Sequence, residues 1–131
     1  MHGDVLTIGA TALASPIVGV QCTNLCASTF QSIESKTLSS DWQARIDTKG
    51  ATDVYVVENK IAPGGTFGWH SHPGPSIVVV KSGELTLYRG DDPTCTPTRV
   101  PADLGSSTTE ATSMVHNEGT VETVVHVTSV V

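Results

Sequence analysis

Apolar residues in the second half of the chain alternate with polar ones or form short runs that end at glycine and proline. Alternation with a period of two is typical of β-strands, because successive side chains point to opposite faces of a sheet. No segment shows the 3.6-residue period of a helix. The pattern predicts strands over residues 53–61, 66–72, 76–81, 84–89, 96–100, 110–116 and 121–131.

The punctuation between these segments predicts how they connect. Pro63-Gly64-Gly65 and Pro73-Gly74-Pro75 are turn sequences, and Ser82-Gly83 is short enough for a tight hairpin. Residues 90–93 predict a loop and residues 117–119 a last turn. Short strands at intervals of about 8–12 residues favour a small closed barrel or a jelly roll.

Composition supports an all-β chain. Valine (17) and threonine (18) are abundant, whereas leucine occurs only 7 times in 131 residues. β-branched side chains are stiff and favour strands. A chain of this length is expected to form one domain with its own core.

The first 40 residues differ from the rest and are predicted to be an N-terminal arm or signal-like segment, with a barrel over residues 41–131. Residues 5–20 are weakly apolar and contain Ala12-x-Ala14, as in a secretory signal, but no Lys or Arg precedes them. Residues 23–40 are rich in Ser, Thr and Gln, which is typical of a linker or edge segment. The localisation therefore stays open between secreted and cytoplasmic.

The charge and the hydropathy of the chain each argue against one class of partner. Seven Lys and Arg against 13 Asp and Glu give a net charge of −6, which argues against binding the phosphate backbone of nucleic acids. The absence of 18 consecutive apolar residues argues against a membrane-spanning helix.

His70-Ser71-His72 is the most specific chemical feature of the sequence. Residues i and i+2 of a strand point to the same face, so two imidazoles inside a barrel could chelate one metal ion. The alternative is that both histidines are solvated or packed polar side chains beside the Pro-Gly-Pro loop. An isolated His-x-His motif is too short to decide between them.

The residues around this motif resemble the first signature of the cupin superfamily. The spacing Gly64-x5-His70-x-His72-x3-Ser76-x6-Gly83 matches the family pattern, except that Ser76 stands at the position of its glutamate. The resemblance extends over about residues 52–131 and is strongest for small single-domain bacterial cupins. It implies a double-stranded β-helix, that is, a jelly-roll barrel.

The second cupin signature can be placed in two registers. Anchored on His116, it keeps Gly105 and the histidine but lacks the proline, the second glycine and the asparagine. Anchored on Asn117, it keeps the asparagine and the following turn, but its histidine position falls on Ser113 and His116 faces outward. One strand cannot serve both, because such a shift exchanges the two faces of the strand.

The resemblance implies a metal site. In the register that suits metal chemistry, the predicted ligands are His70, His72 and His116, which would hold a divalent Fe, Mn, Ni, Zn or Cu ion. It allows an Fe(II)-type dioxygenase acting on a small chelating substrate. The alternatives are a non-catalytic metal or small-ligand module and a degenerate, metal-free dimerising cupin. Glu58 or Glu110 is a candidate to replace the missing carboxylate, although both fit solvated strand positions.

Two further expectations concern covalent links and assembly. Cys22, Cys26 and Cys95 are an odd number of cysteines, and the family resemblance implies a disulfide from the arm to the loop that holds Cys95. The valine-rich last strand is expected to lie at an exposed sheet edge, which predicts a homodimer, either with or without exchange of the arm.

Overall fold

The computed structural model of the chain describes residues 15–108 and 111–131. The regular secondary structure of these residues consists of β-strands, with no helix. The predicted all-β class is therefore confirmed. The ten strands are β1 (Val18–Phe30), β2 (Glu34–Leu38), β3 (Gln43–Asp47), β4 (Thr52–His70), β5 (Ser76–Ser82), β6 (Glu84–Arg89), β7 (Thr98–Pro101), β8 (Gly105–Ser107), β9 (Ser113–His116) and β10 (Thr123–Val130).

Eight of these strands form one antiparallel, nearly closed sheet that wraps around a core, as the jelly-roll prediction requires. Its pairing order is β7-β6-β9-β4-β10-β5-β8, and β1 pairs with β4 outside this path. Because β4 is long, its first half belongs to the wall made with β10 and β5. Its second half belongs to the opposite wall, made with β9 and β6.

The predicted break at Pro63-Gly64-Gly65 is wrong, because β4 runs through it from Thr52 to His70. The chain changes partner there instead: β10 pairs with β4 up to Ile61, and β9 pairs with it from Thr66 onward. Gly64 has a φ of 79°, a backbone conformation that glycine adopts without strain. The glycine pair therefore bends one strand around the corner of the barrel.

The hairpin predicted at Ser82-Gly83 is also wrong. β5 pairs with β10 and β8, whereas β6 pairs with β7 and β9, so the two consecutive strands do not pair with each other. The tight bend, with Gly83 at a φ of 79°, carries the chain from one wall to the other. This crossing is what distinguishes a jelly roll from a simple meander.

The first strands add to the outside of the barrel. β1 runs antiparallel along β4, from Val18 opposite Thr66 to Phe30 opposite Thr52. β2 and β3 form a separate hairpin whose residues are all exposed. The predicted boundary at residue 40 falls inside this hairpin and stays a prediction. Residues 1–14, which include most of the signal-like stretch, lie outside the described residues.

The core forms where the inward faces of the two walls meet. Each of its fully apolar members is at most 5% exposed, and partly buried residues such as Val20, Phe67 and Leu87 pack against it. The buried apolar cluster consists of Ile61, Val80, Leu85, Val100 and Val125.

The reason given for a homodimer does not hold, although the homodimer itself stays a prediction. β10 is not an edge strand, since it pairs with β4 on one side and with β5 on the other. In the part of the chain that the structure describes, the pairing order ends at β7 and β8, and β1 has one partner only. Within the same residues, no helix has the length and apolar character needed to cross a membrane.

Candidate metal and ligand site

The two walls enclose a cavity of about 300 Å³. This volume falls at the lower end of the range of small-molecule sites. Eight apolar side chains from both walls line the cavity, together with histidines, tyrosines and several hydroxyl-bearing residues. The eight are Val57, Phe67, Val78, Leu85, Leu87, Val115, Val125 and Val127.

His70 and His72 both line this cavity, and their rings meet. The two Nε2 atoms are 3.1 Å apart, and the rings are nearly perpendicular. The Nδ1–H group of His70 lies 2.9 Å from the Gly68 carbonyl, to which it can donate, so that Nε2 keeps its lone pair. His72 lies two residues beyond the end of β4, yet its ring still turns back to His70.

The surroundings keep His72 neutral. Burial and, to a smaller extent, the neighbouring His70 together lower its pKa from 6.5 to about 4. A neutral imidazole offers a nitrogen lone pair to a metal ion, whereas the imidazolium offers none. At neutral pH His72 is therefore in the protonation state that a metal ligand needs.

The separation of the two nitrogens fits a shared metal ion. Metal–nitrogen bonds to imidazole are about 2.0–2.1 Å long, so adjacent ligands on one octahedral ion lie about 3 Å apart. The observed distance of 3.1 Å agrees with this value. The bond from His70 Nδ1 to a backbone carbonyl is the outer contact that metal-bound histidines commonly make.

The structure does not bring His116 to this pair. The pairing of β4 with β9 sets Ser113 opposite His70, and both side chains line the cavity. Three residues later, His116 is on the other face of β9. Its Nδ1 is 3.2 Å from a Glu118 carboxylate oxygen, and its Nε2 is 3.3 Å from the Gly64 carbonyl. Both ring nitrogens face acceptors away from the cavity.

The register anchored on Asn117 is thus the one that the chain adopts. In that register, serines occupy two of the positions at which the cupin signatures have ligands, Ser76 and Ser113. Ser76 is buried, and its hydroxyl hydrogen-bonds with that of Ser129 at 2.7 Å. Among the described residues, no group of three or more His, Cys, Asp and Glu side chains is placed to hold one ion. The predicted three-histidine set is therefore not assembled, and two histidines remain.

Glu58, the candidate carboxylate that the structure describes, does not line the cavity. Glu58 projects from the outer face of the barrel, where it accepts a hydrogen bond of 2.9 Å from His126 on β10. This bond is the main reason why the pKa of Glu58 is lowered. Glu110 lies outside the described residues. His126 thus pairs with Glu58 on the outer face of the barrel.

The disulfide implied by the family resemblance is not formed. Cys22, Cys26 and Cys95 are all free thiols. Cys22 is on β1 opposite Asn59, and its partial burial raises its pKa, whereas Cys95 is exposed in the loop after β6.

Sequence reasoning missed three residues of the cavity. Phe67 lines the cavity next to an irregularity of the β4–β9 register between Thr66 and Gly68, with its ring 6.0 Å from that of His70. Tyr55 and Asn59 continue the inward series of β4 and are almost fully buried. Their alternation with outward residues was the only available signal.

Comparisons with known proteins agree with this fold. No protein-family model matches the chain, and no curated protein matches it significantly in sequence. Among solved structures, a cupin superfamily protein from Desulfitobacterium hafniense aligns over 88% of this chain and 80% of its own, with a TM-score of 0.56 and 10% identity. A double-stranded β-helix protein from Klebsiella pneumoniae covers 76% of both chains at a TM-score of 0.51 and 20% identity.

An enzyme is also among the similar structures. Oxalate oxidase aligns with 58% of this chain at a TM-score of 0.51 and 24% identity, and the aligned part spans only 41% of the oxalate oxidase chain. At such identities the likeness establishes the architecture and not the activity. The fold is that of the cupins, which confirms at the level of the fold the resemblance seen around His70 and His72.

Proposed function

We propose that this chain is a cupin-fold binding module that holds a divalent transition metal through His70 and His72 and admits a small ligand to the same cavity. The main observation in support is that the two Nε2 atoms lie 3.1 Å apart inside a cavity of about 300 Å³. With two protein ligands, most coordination positions would be open to the oxygen atoms of a small chelating molecule or to water.

The two histidines determine the chemistry that a bound ion would supply. Imidazole ligands bring no negative charge, unlike carboxylates or thiolates, so a bound ion would keep its full charge and act as a Lewis acid toward oxygen donors. His70 is oriented by the Gly68 carbonyl, and His72 is held against it by the end of β4. If His70 Nδ1–H donates to Gly68, the 3.1 Å contact has His72 Nε2–H as its donor, and binding of one ion by both Nε2 atoms then requires a change of tautomer at His72.

Metal titration of chelator-stripped protein tests this function. Isothermal titration with Zn²⁺, Ni²⁺ or Co²⁺ should show one ion per chain, and Co²⁺ should give a visible ligand-field spectrum. His70→Ala and His72→Ala should each weaken binding by more than about tenfold, since loss of an outer contact alone costs that much. His126→Ala is the matched control, because that histidine is on the outer face.

Two results would contradict the proposal. One is no stoichiometric binding by the wild type, and the other is an equal effect of His126→Ala and His70→Ala.

A metal-free small-molecule module is the second candidate, favoured by the serines at positions 76 and 113. Oxygenase activity would be a further property of the metal form, measured as oxygen consumption by iron-loaded protein with diketones or thiols.

A further inference from the structure

The wall of the cavity formed by β4 contains two polar atoms that lack a partner. Asn59 and Tyr55 are 4% and 2% exposed, and both line the cavity. The Oδ1 atom of Asn59 and the hydroxyl of Tyr55 have no hydrogen-bond partner among the described residues. Buried polar atoms in native proteins nearly always have one, so these two atoms point to a missing partner.

The neighbours of Tyr55 do not supply this partner. Ser129 is opposite Tyr55 on β10, but its hydroxyl is engaged with Ser76 at 2.7 Å and does not meet hydrogen-bond geometry with the phenol. Burial raises the pKa of Tyr55, and the Ser129 hydroxyl offsets part of that effect. The phenol is therefore protonated at neutral pH and able to donate.

The lining around these atoms excludes charge. Val57 is between Tyr55 and Asn59 on the inward face of β4, and Val127 is opposite Val57 on β10. Arg89 is the one charged side chain in the described lining, and its guanidinium is bound by the Asp91 carboxylate at 2.8 and 3.0 Å. A charged ligand at this wall would lose its hydration without a counter-charge.

We infer that this wall binds a small uncharged molecule with an apolar ring or chain and a hydroxyl group, such as a phenol. The ligand hydroxyl donates to Asn59 Oδ1, and the apolar body packs on Val57 and Val127. A cavity of about 150 Å³ admits benzene, so the observed 300 Å³ admits a substituted ring. Tyr55 recognises a second polar group on larger ligands. The inference rests on the proposed role of the cavity as a ligand site, and it does not need the metal.

A matched pair of ligands tests the inference. Phenol and toluene have similar shapes and differ in the hydroxyl group. In metal-free, full-length protein, phenol should bind about tenfold more tightly than toluene, as expected for one buried hydrogen bond. The side-chain amide resonance of Asn59 should shift with phenol and not with toluene. Benzoate should bind more weakly than phenol.

Two variants separate this site from the metal site. Asn59→Leu should abolish the preference for phenol and retain toluene binding, which also shows that the variant is folded. If it does not fold, Asn59→Ala replaces it. His70→Ala should lose the metal and keep the preference. Equal affinity of the wild type for phenol and toluene, binding of neither, or an unchanged preference in the Asn59 variant would overturn the inference, whatever the metal titration shows.

Discussion

His70 on β4 and Ser113 on β9 are paired across the sheet and both line the cavity, whereas His116, three residues further along, is on the opposite face of β9. The ligand set available to a metal is thus decided by the register of one short strand. A third imidazole is present in the sequence, but it is held outside the cavity by Glu118 and the Gly64 carbonyl.

This relationship predicts that Ser113→His strengthens metal binding. The new imidazole would project from the position opposite His70 and add a third nitrogen to the His70–His72 pair. We expect the affinity for Zn²⁺ or Ni²⁺ to rise by more than about tenfold. Removing a residue that only hydrogen-bonds to a metal ligand already changes affinity by about that factor, and a direct ligand should contribute more. Isothermal titration of chelator-stripped protein measures it. His116→Gln is the control and should leave the affinity unchanged; a loss in that control would show that His116 reaches the ion.

The sequence identified His70 and His72 but could not decide between His116 and Ser113, and the structure shows why. All four residues of β9 are partly buried, so this strand has no contrast between an inner and an outer face from which its register could be deduced. On β6, Leu85 and Leu87 alternate along the strand and both line the cavity.

Other parts of the fold could not be predicted from the sequence for different reasons. β2 and β3 are exposed on both faces, so they show no apolar alternation and were not predicted. β4 was predicted as two strands because Pro63-Gly64-Gly65 is typical of a turn. In the structure these residues lie where one continuous strand changes its partner from β10 to β9. The inward position of Asn59 was hidden because an isolated Asn in a strand usually indicates the solvent side.

The pKa of His72 predicts that the metal-free protein loses stability in mild acid. The pKa of His72 is about 4 in the folded protein and 6.5 for an unperturbed histidine, the value taken for the unfolded chain. Between pH 4 and pH 6.5 the unfolded chain therefore binds a proton at His72 that the folded protein does not. The free energy of unfolding should therefore be constant above about pH 7 and fall as the pH decreases from about 6.5 to 4.

The magnitude is reduced by the partial exposure of the site. We expect a contribution of roughly 1–2 kcal/mol between pH 7 and pH 4, after allowance for solvent screening. Urea denaturation in the presence of EDTA measures it, with His72→Asn as the comparison. The wild type should show the steeper decline; parallel curves for the two proteins would contradict the prediction.

Asn117 fixes the register that places Ser113. It is 1% exposed, and its amide nitrogen donates to the carbonyls of Ile61 and Val121 at 2.9 and 2.8 Å. Its Oδ1 atom accepts from the Gly119 N–H at 3.0 Å. Asn117→Ala would leave these groups unpaired in the interior, and we expect it to lower the free energy of unfolding by about 2–4 kcal/mol.

The measurement is denaturant unfolding with Glu118→Gln as the neighbouring control. Glu118 is in the same turn but is partly exposed, so its substitution should have a much smaller effect. The Asn117 backbone also pairs with Gly64 and Gly65 at the corner of β4. Asn117→Ala should therefore weaken metal binding as well, even though this residue does not touch the ion. A fully stable variant would show that the turn is not what sets the register.

Tyr55→Phe is predicted to stabilise the ligand-free protein. The substitution removes a buried hydroxyl that has no hydrogen-bond partner and leaves the ring in place. Because an unsatisfied polar group costs free energy on burial, the free energy of unfolding should rise by about 1 kcal/mol. Tyr88→Phe is the matched control: its hydroxyl donates to Glu118, so its loss should give no gain. Thermal and urea unfolding of both variants measure the difference. A decrease for Tyr55→Phe would mean that the hydroxyl is already satisfied within the protein, and the wall of the cavity would then offer a ligand only Asn59.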